Sequence, residues 1–209
     1  MKKIELALIK SMNSKWRNTQ ADTTYPCPKG RKFSPRSINT PLDLNKIKSL
    51  KAGQEVLLSG TIYTARDQAH KRLVQEIKSR KPLPFELRDA VIYYCGPTQT
   101  PKGKVIGSCG PTTSSRMDAF AGFILAKGLR GMIGKGSRGL GVKAAIKKYK
   151  GVYFITYAGC GALLSKYVKS AKTVAYGDLG PEAILKLEVE NFPLIVAIDV
   201  NGGGVYGQD

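Results

Sequence analysis

Apolar residues follow two different spacings along the chain, and the change from one to the other predicts alternating strands and helices. Runs of branched and aromatic residues predict strands over 55–64, 90–95, 104–109, 129–133, 152–156, 168–176, 184–189 and 194–198. Apolar residues spaced three and four apart predict helices over 66–79, 113–127 and 137–149, and a short helix is predicted over 158–164. Such alternation is typical of a partly parallel sheet, so the pattern predicts an α/β fold with helices packed on a mixed sheet.

The first part of the chain has a different composition from the rest. Residues 1–37 are polar and basic, contain Pro26, Pro28 and Pro35, and include only a short apolar patch. This composition indicates an N-terminal extension rather than a packed unit. We therefore expect one domain over residues 38–209, which is long enough to bury a single core.

The chain carries a large excess of positive charge. Its 34 lysines and arginines outnumber 15 acidic residues and give a net charge of +19. Such an excess favours anionic partners, namely nucleic acid, an acidic protein surface or small polyanionic substrates, and does not choose among them. No apolar run reaches membrane-spanning length, and Glu5 and Lys10 interrupt the apolar stretch that a secretory leader would need. We expect a cytoplasmic protein.

Cysteine spacing argues against a metal site or a disulfide framework in this chain. Cys27, Cys95, Cys109 and Cys160 are far apart, without the paired spacing of metal ligands or the density of a secreted scaffold. We expect these cysteines to be small buried hydrophobes in a reducing compartment, and we predict no metal ligand among them.

The segment Gly110–Asp118 is the first candidate for chemistry, because four hydroxyls precede an arginine where a strand is predicted to give way to a helix. Thr112 and Arg116, four residues apart, would share one side of a first helical turn whose N–H groups are unpaired. Backbone donors, hydroxyls and a guanidinium would then meet an anion such as a carboxylate. The alternative is that Thr113 or Ser115 only caps the helix while Arg116 is solvated.

A second candidate lies on the predicted helix over 66–79. Arg66, His70, Leu73 and Ile77 form one stripe on its core-facing side. An arginine in that position should have a partner, and a guanidinium can grip a carboxylate through two parallel hydrogen bonds. For His70, a hydrogen-bonded structural role is the commoner explanation.

A third candidate is the glycine-rich segment Gly134–Gly139, which satisfies G-x-G-x-x-G between a predicted strand and a predicted helix. A dinucleotide site also expects an acidic residue about twenty positions later, and residues 119–177 contain none. This absence argues against an NAD site and less strongly against an NADP site, which can use an arginine. The better use of the glycines is close backbone approach to an anion, with Lys135 as a point charge beside it. The lysines that follow, Lys143, Lys147, Lys148 and Lys150, form either a nucleic-acid face or, as we prefer, a solvated helix side.

Together these segments resemble one family, the β subunit or C-terminal domain of the iron–sulfur class I fumarases, with the L(+)-tartrate dehydratase β subunit as its cousin. The resemblance covers the chain from about residue 38 to its C-terminus. The matching segments are Gly60–Arg72, Ile92–Pro97, Gly110–Asp118, Gly134–Gly136 and Phe192–Asp199.

The resemblance implies a swivelling β/β/α domain and the reversible hydration of fumarate to (S)-malate. It also implies that a four-iron, four-sulfur cluster is bound by cysteines of a separate α subunit. No cysteine of this chain matches a cluster ligand. This chain would then supply half of an active site, completed by docking on the α subunit, with an α2β2 assembly expected.

Residue roles also follow from the resemblance. Arg66 and Arg116 would hold the carboxylates of a small dicarboxylate substrate, with Lys135 adding positive charge. Thr112 matches the proposed catalytic base, and the acid is expected from the α subunit. Asp67 and His70 would support Arg66, and Thr113 is a further supporting residue.

Two alternatives remain at this stage. The first is a tartrate dehydratase β subunit, because a pocket that differs by one substrate hydroxyl is not resolved from half of its lining. The second, from another class, is a basic module that binds nucleic acid or an acidic protein. Such a module would depend on many lysines and on salt concentration, whereas the enzyme half would depend on particular cations.

Overall fold

The structure, a computed structural model, describes residues 35–206 together with two short strands, β1 (Tyr25–Pro26) and β2 (Lys32–Phe33). These two strands pair antiparallel. The chain divides into two units, residues 1–35 and residues 36–209. Cys27 and most of the extension predicted for residues 1–37 lie outside the described residues.

The second unit alternates strands and helices, as the sequence pattern predicts. Its strands are β3 (Arg36–Asn39), β4 (Glu55–Thr64), β5 (Val91–Tyr93), β6 (Gly131–Gly134), β7 (Val152–Ile155), β8 (Val168–Ala175) and β9 (Ile184–Ile198). Its α-helices are α1 (Leu44–Lys48), α2 (Asp67–Lys78), α3 (Asp118–Ala126), α4 (Leu140–Tyr149) and α5 (Gly161–Leu164). Short 3₁₀ turns cover Ser114–Met117, Ser165–Tyr167 and Gly177–Glu182.

One mixed sheet contains all seven strands, in the order β3-β4-β5-β6-β7-β9-β8. Strands β3 to β7 pair in parallel, whereas β9 pairs antiparallel with β4, β7 and β8. Because β9 contacts both β4 and β7, strands β4, β5, β6, β7 and β9 form a closed cycle of pairings. The predicted α/β class with a mixed sheet is therefore confirmed.

Alternate strand residues divide between two cores. One core takes residues such as Ile62, Tyr93 and Phe154 on the face that the strand cycle encloses. The other takes the neighbouring Ile92 and Met132 and covers them with apolar residues of α2, α3 and α4. Because side chains alternate along a strand, both faces of the parallel strands are buried, which explains their continuous apolar runs.

Four predicted elements differ from the structure. Residues 104–109 were predicted as a strand and form none. Instead the Thr98 N–H donates to the Ser108 carbonyl (3.0 Å), and a Cβ on Gly107 would lie 2.2 Å from the Thr98 oxygen. The two strands predicted over 184–189 and 194–198 are one strand, β9. The helix predicted from 113 begins as a 3₁₀ turn at Ser114.

Candidate functional site at the carboxyl edge of the sheet

The parallel strands β4, β5 and β6 end at the same edge of the sheet, and the residues that follow them include Arg66, Tyr94 and Lys135. In α/β folds with parallel strands, ligands usually bind at the carboxyl ends of the strands, in open sheets and in closed barrels alike. Thr112 joins the edge because its N–H donates to the Tyr94 carbonyl at 2.7 Å. The Ser114 N–H likewise donates to the Lys135 carbonyl at 3.0 Å. The candidate residues Arg66, Thr112 and Lys135, from three separate stretches of sequence, therefore lie at one edge together with Tyr94.

Gly134 allows the segment around Ser114 to approach β6 closely. A Cβ on this glycine would lie 1.9 Å from the Ser114 Oγ and 3.0 Å from a ring carbon of Tyr94. The Ser114 side chain is fully buried, where its Oγ accepts from the Lys135 N–H (3.1 Å) and lies 2.9 Å from the Tyr153 hydroxyl. Buried polar groups are hydrogen-bonded as a rule, and Ser114 follows it as an anchor that fixes this segment.

Arg116 is held by Asp67, which the sequence analysis had assigned to support Arg66. The Arg116 Nε donates to one Asp67 carboxylate oxygen at 2.9 Å, and its Nη2 lies 2.9 Å from the other. This two-point contact uses one side of the guanidinium and leaves Nη1 outside it. Since the Arg116 side chain is half exposed, a further anion has access to it. Asp67 thus orients Arg116 toward an open surface.

Arg66 precedes α2 as its N-cap residue and is more enclosed than Arg116. Its Nη2 lies 3.9 Å from Glu182, its Nε lies 4.0 Å from Asp67, and that buried Nε has no hydrogen-bond partner among the described residues. Gly96 makes room for it, since a Cβ there would lie 2.6 Å from Arg66 Nη1. Arg66 therefore combines a donor that lacks an acceptor with carboxylates that hold it only loosely.

His70 is buried and neutral. Its Nδ1 lies 2.8 Å from the Arg66 carbonyl, and because a carbonyl only accepts, Nδ1 carries the proton. Burial lowers the pKa of His70 to about 4; the Arg66 carbonyl opposes this shift and the positive charge of Arg138 adds to it. The rings of Tyr94 and Phe120 flank the imidazole. His70 therefore supports the backbone at Arg66, consistent with the structural role expected for it.

The remaining candidates divide by exposure. Lys135 and Thr112 are half-buried at the carboxyl edge, and within residues 35–206 no carboxylate lies within ion-pair distance of Lys135. Thr113 is exposed and precedes the 3₁₀ turn without a side-chain capping bond. Thr112 does not share a helical turn with Arg116, so that part of the prediction is wrong, because the hydroxyl segment follows the strand ends instead.

Sequence reasoning assigned no role to Arg138, Asp118 or Glu182. The Arg138 side chain has no exposed surface, and its Nε donates to Asp118 at 2.6 Å. Glu182 accepts from the Gln68 N–H at 2.7 Å beside Arg66. The sequence contained one signal for the Arg138 pair. Residues 119–177 contain no Asp or Glu, so any buried arginine in that stretch must pair with a carboxylate from outside it.

The described cysteines do not form a site for an iron–sulfur cluster. Cys95 and Cys109 are buried in the core and Cys160 is half-buried. Among the residues that the structure describes, no group of three or more His, Cys, Asp or Glu side chains could hold a metal ion. Within the same residues, no helix has the length and apolarity needed to cross a membrane.

Known proteins similar to this chain are named as tartrate dehydratase subunits and as class I fumarate hydratases. A Methanocaldococcus jannaschii protein named "Putative L(+)-tartrate dehydratase subunit beta" is 42% identical over 77% of this chain and 85% of its own length. The aerobic class I fumarate hydratase of Escherichia coli is 37% identical over 82% of this chain. The Escherichia coli L(+)-tartrate dehydratase subunit beta is 32% identical over 82% of this chain and 87% of its own length.

The two kinds of relative differ in length. The chain spans 32% of the Escherichia coli fumarate hydratase and 31% of fumarate hydratase 2 of Leishmania major, but most of each tartrate dehydratase subunit. The match to the family described as "Fumarase C-terminus" covers residues 10–209. It includes every element of the carboxyl edge described above, and the chain therefore belongs to the fumarase C-terminus family.

Proposed function

We propose that this chain supplies one half of the active site of a two-chain hydro-lyase that reversibly hydrates fumarate to (S)-malate. The observation that carries the proposal is the gathering of Arg66, Arg116 and Lys135 at one edge of the sheet, where each has a donor available to an added carboxylate. Relatives named as class I fumarate hydratases support the reaction, and those named as subunit beta support a separate α partner.

Charge balance supports a half site rather than a complete one. The three cations named above lie with two carboxylates, Asp67 and Glu182, while Arg138 and Asp118 neutralise each other. One net positive charge remains for a dicarboxylate that carries two negative charges. Because burying an unbalanced charge is costly, we expect the partner chain to bring the missing positive charge.

The residues would act on charge that develops during the reaction. Hydration of a double bond conjugated to a carboxylate places negative charge on that carboxylate in the transition state. Fixed donors from Arg116, Arg66 and Lys135 would stabilise this charge more than the ground state, which is the requirement for catalysis. Thr112 is the candidate base, with Lys135 nearby to favour its deprotonated form. Thr113, Asp67 and His70 would support these groups.

The cluster and the assembly belong to this proposal as well. We assign the four-iron, four-sulfur cluster to the α subunit, because the described cysteines do not fit it. An α2β2 assembly, a swivelling β/β/α architecture for the domain over residues 38–209 and a cytoplasmic location remain predictions. Residues 1–37 remain a predicted extension.

Tartrate is the second candidate substrate, and a specific observation favours it. The 42% identical relative and its Escherichia coli counterpart are named as tartrate dehydratase subunits, and this chain spans 85% and 87% of their lengths. The percentage of identical residues does not separate the two substrates, however. The Escherichia coli fumarate hydratase is 37% identical to this chain, whereas the tartrate dehydratase subunit of the same organism is 32% identical. Both reactions would use the same carboxylate-binding cations.

Co-expression with the α-type chain of the same genome tests the proposal. The pair is purified without oxygen, and consumption of fumarate and of L(+)-tartrate is measured for the pair and for each chain alone. We expect fumarate hydration only in the pair. Tartrate turnover without fumarate turnover would assign the cousin reaction, whereas neither complex nor activity would contradict the proposal and favour a basic binding module.

A further inference from the structure

Arg138 is a buried cation that has no role in substrate binding or catalysis in the proposed function. It lies between β6 and α4 with no exposed side-chain surface. Its guanidinium carbon lies 5.3 Å from the Tyr94 ring centre and 5.0 Å from that of Tyr153, and its Nη2 is buried without a hydrogen-bond partner among the described residues. Stability alone does not explain such a residue, because an apolar side chain of similar volume often serves as well.

Asp118 connects Arg138 to the segment that carries Arg116. One Asp118 oxygen accepts from Arg138 Nε at 2.6 Å, and the other accepts from the Gly139 N–H at 2.8 Å. Asp118 follows Arg116 by two residues, and Arg138 follows Lys135 by three. The ion pair therefore joins the segment that presents Arg116 to the segment that presents Lys135 at the carboxyl edge.

A second connection between the same loops runs through Tyr153. Its hydroxyl lies 2.9 Å from the Ser114 Oγ and donates to the Gly136 carbonyl at 2.7 Å. Arg138 lies over the ring of this tyrosine and donates to the Tyr94 hydroxyl at 3.3 Å. The two contacts of the Tyr153 hydroxyl hold the loop of Lys135 against the segment of Ser114. Arg138 in turn packs on the Tyr153 ring that carries this hydroxyl.

We propose that Arg138 is a positioning residue that fixes the spacing between Arg116 and Lys135, so that the two cations hold one dicarboxylate. The inference rests on the proposed function, because it names a residue that serves that carboxylate site. Arg138 does not touch the substrate, and it acts through Asp118 and the two tyrosines. It also acts at a distance on His70, whose neutral imidazole supports the backbone of Arg66.

His70 gives a readout that does not require activity, because it is the only histidine in the chain. The charged groups that influence it are Arg138, which disfavours the imidazolium, and Asp67, which favours it; the rings of Tyr94 and Phe120 pack against it. Nitrogen-15 NMR of the full chain across pH 3.5–8 reports the His70 titration and tautomer directly, without the α subunit.

The variants are Arg138→Met, which removes the charge, and Arg138→Lys, which keeps the charge but loses the planar fork. The matched control is Arg130→Met. Arg130 is likewise paired with an aspartate, Asp89 at 3.1 Å, but it is partly exposed and precedes β6, at the opposite end of the strand from Arg138. We expect the pKa of His70 to rise in Arg138→Met, because the positive charge that disfavours the imidazolium is removed, and to stay where it is in Arg138→Lys and Arg130→Met. Asp118→Asn keeps the shape of the pair and provides a second test if Arg138→Met fails to fold.

In the assembled enzyme, Arg138→Lys and Asp118→Asn should each raise KM for the dicarboxylate about tenfold, while Arg130→Met leaves it unchanged. A loss of thermal stability with KM unmoved would overturn the proposal, since it would make Arg138 a structural residue only. If the wild-type chain together with its α subunit turns over neither fumarate nor tartrate, that result contradicts the proposed function, independently of any result on Arg138. An unchanged KM for the dicarboxylate in folded Arg138→Met would contradict the inference even if the pKa of His70 rose, because that rise needs only the loss of the positive charge.

Discussion

Two regions of this molecule carry clustered positive charge, and they differ in how that charge is held. On α4 and just after it, Lys143, Lys147, Lys148 and Lys150 lie at the surface, and within residues 35–206 none pairs with a carboxylate. At the carboxyl edge, Arg116 has a two-point contact with Asp67, and Arg66 lies beside Glu182. The net charge of +19 does not distinguish these regions, whereas their contacts do.

The difference is physical. A solvated lysine attracts any anion through a field that salt screens within about 10 Å at 0.1 M ionic strength. A guanidinium held by an internal carboxylate presents its remaining donors in a fixed direction, which gives geometric selectivity for a planar acceptor. We therefore expect substitutions at the edge to change catalysis and those on α4 to change only general attraction to anions.

The largest effect is expected for Arg116→Ala in the assembled enzyme. Removing a fixed donor to a developing charge should lower kcat/KM about a thousandfold. Arg116→Lys should recover little of it, because an ammonium does not reproduce the fork. Steady-state kinetics with Lys147→Ala as the charge-matched control would check this. Equal losses for the two alanine variants would remove the distinction between the regions.

The next effect concerns acid stability and His70. Unfolded histidine titrates near 6.5, whereas His70 in the folded chain titrates at about 4, so unfolding takes up a proton between these values. The free energy of unfolding should therefore be greatest above pH 6.5 and fall by up to about 3 kcal/mol as the pH drops through 4. Urea unfolding of wild type and His70→Gln at several pH values measures this term as their difference. A constant difference from pH 7 to pH 4 would exclude it.

Gly134→Ala should have a smaller but clear effect on stability. The added methyl would lie 1.9 Å from the buried Ser114 Oγ, and we expect a loss of about 2 kcal/mol together with displacement of the Lys135 loop. Gly122→Ala is the control, because Gly122 lies within α3 with nothing near a new Cβ, and it should gain roughly 0.5 kcal/mol. Thermal unfolding of both variants measures this difference. If Gly122→Ala also destabilised the chain, the loss in Gly134→Ala would not be explained by its contact with Ser114.

The smallest effect is expected on the lysine face. Lys147→Ala with Lys148→Ala should change stability by less than about 0.5 kcal/mol and turnover by less than about twofold, since both side chains are exposed. Titration with a nucleic-acid polyanion at two salt concentrations should show weak, salt-sensitive binding that the double variant reduces. Loss of turnover in this variant would instead show that α4 contributes to catalysis and would remove the distinction between the two regions.

Local sequence patterns determined most of the elements. The alternation of Glu55–Thr64 and the stripe of Arg66, His70 and Leu73 depend on spacings of two and of three to four, so β4 and α2 could be read with almost their observed bounds. The residues 104–109 were misread because their apolar content resembles a strand. Whether they pair with a sheet depends on distant neighbours, and they contact Thr98 and Gly161 instead.

For the site, sequence motifs picked out Arg66, Thr112, Arg116 and Lys135 as candidates, and their roles stay predictions. Only the tertiary structure decided which carboxylate meets which arginine: Asp67 adjoins Arg66 in sequence but holds Arg116. The burial of Arg138 was equally invisible, because its partner and the rings around it come from Asp118, Tyr94 and Tyr153, on three separate segments. Spacing along one element is a local property that sequence records, whereas pairing across elements depends on how the closed strand cycle brings the loops together.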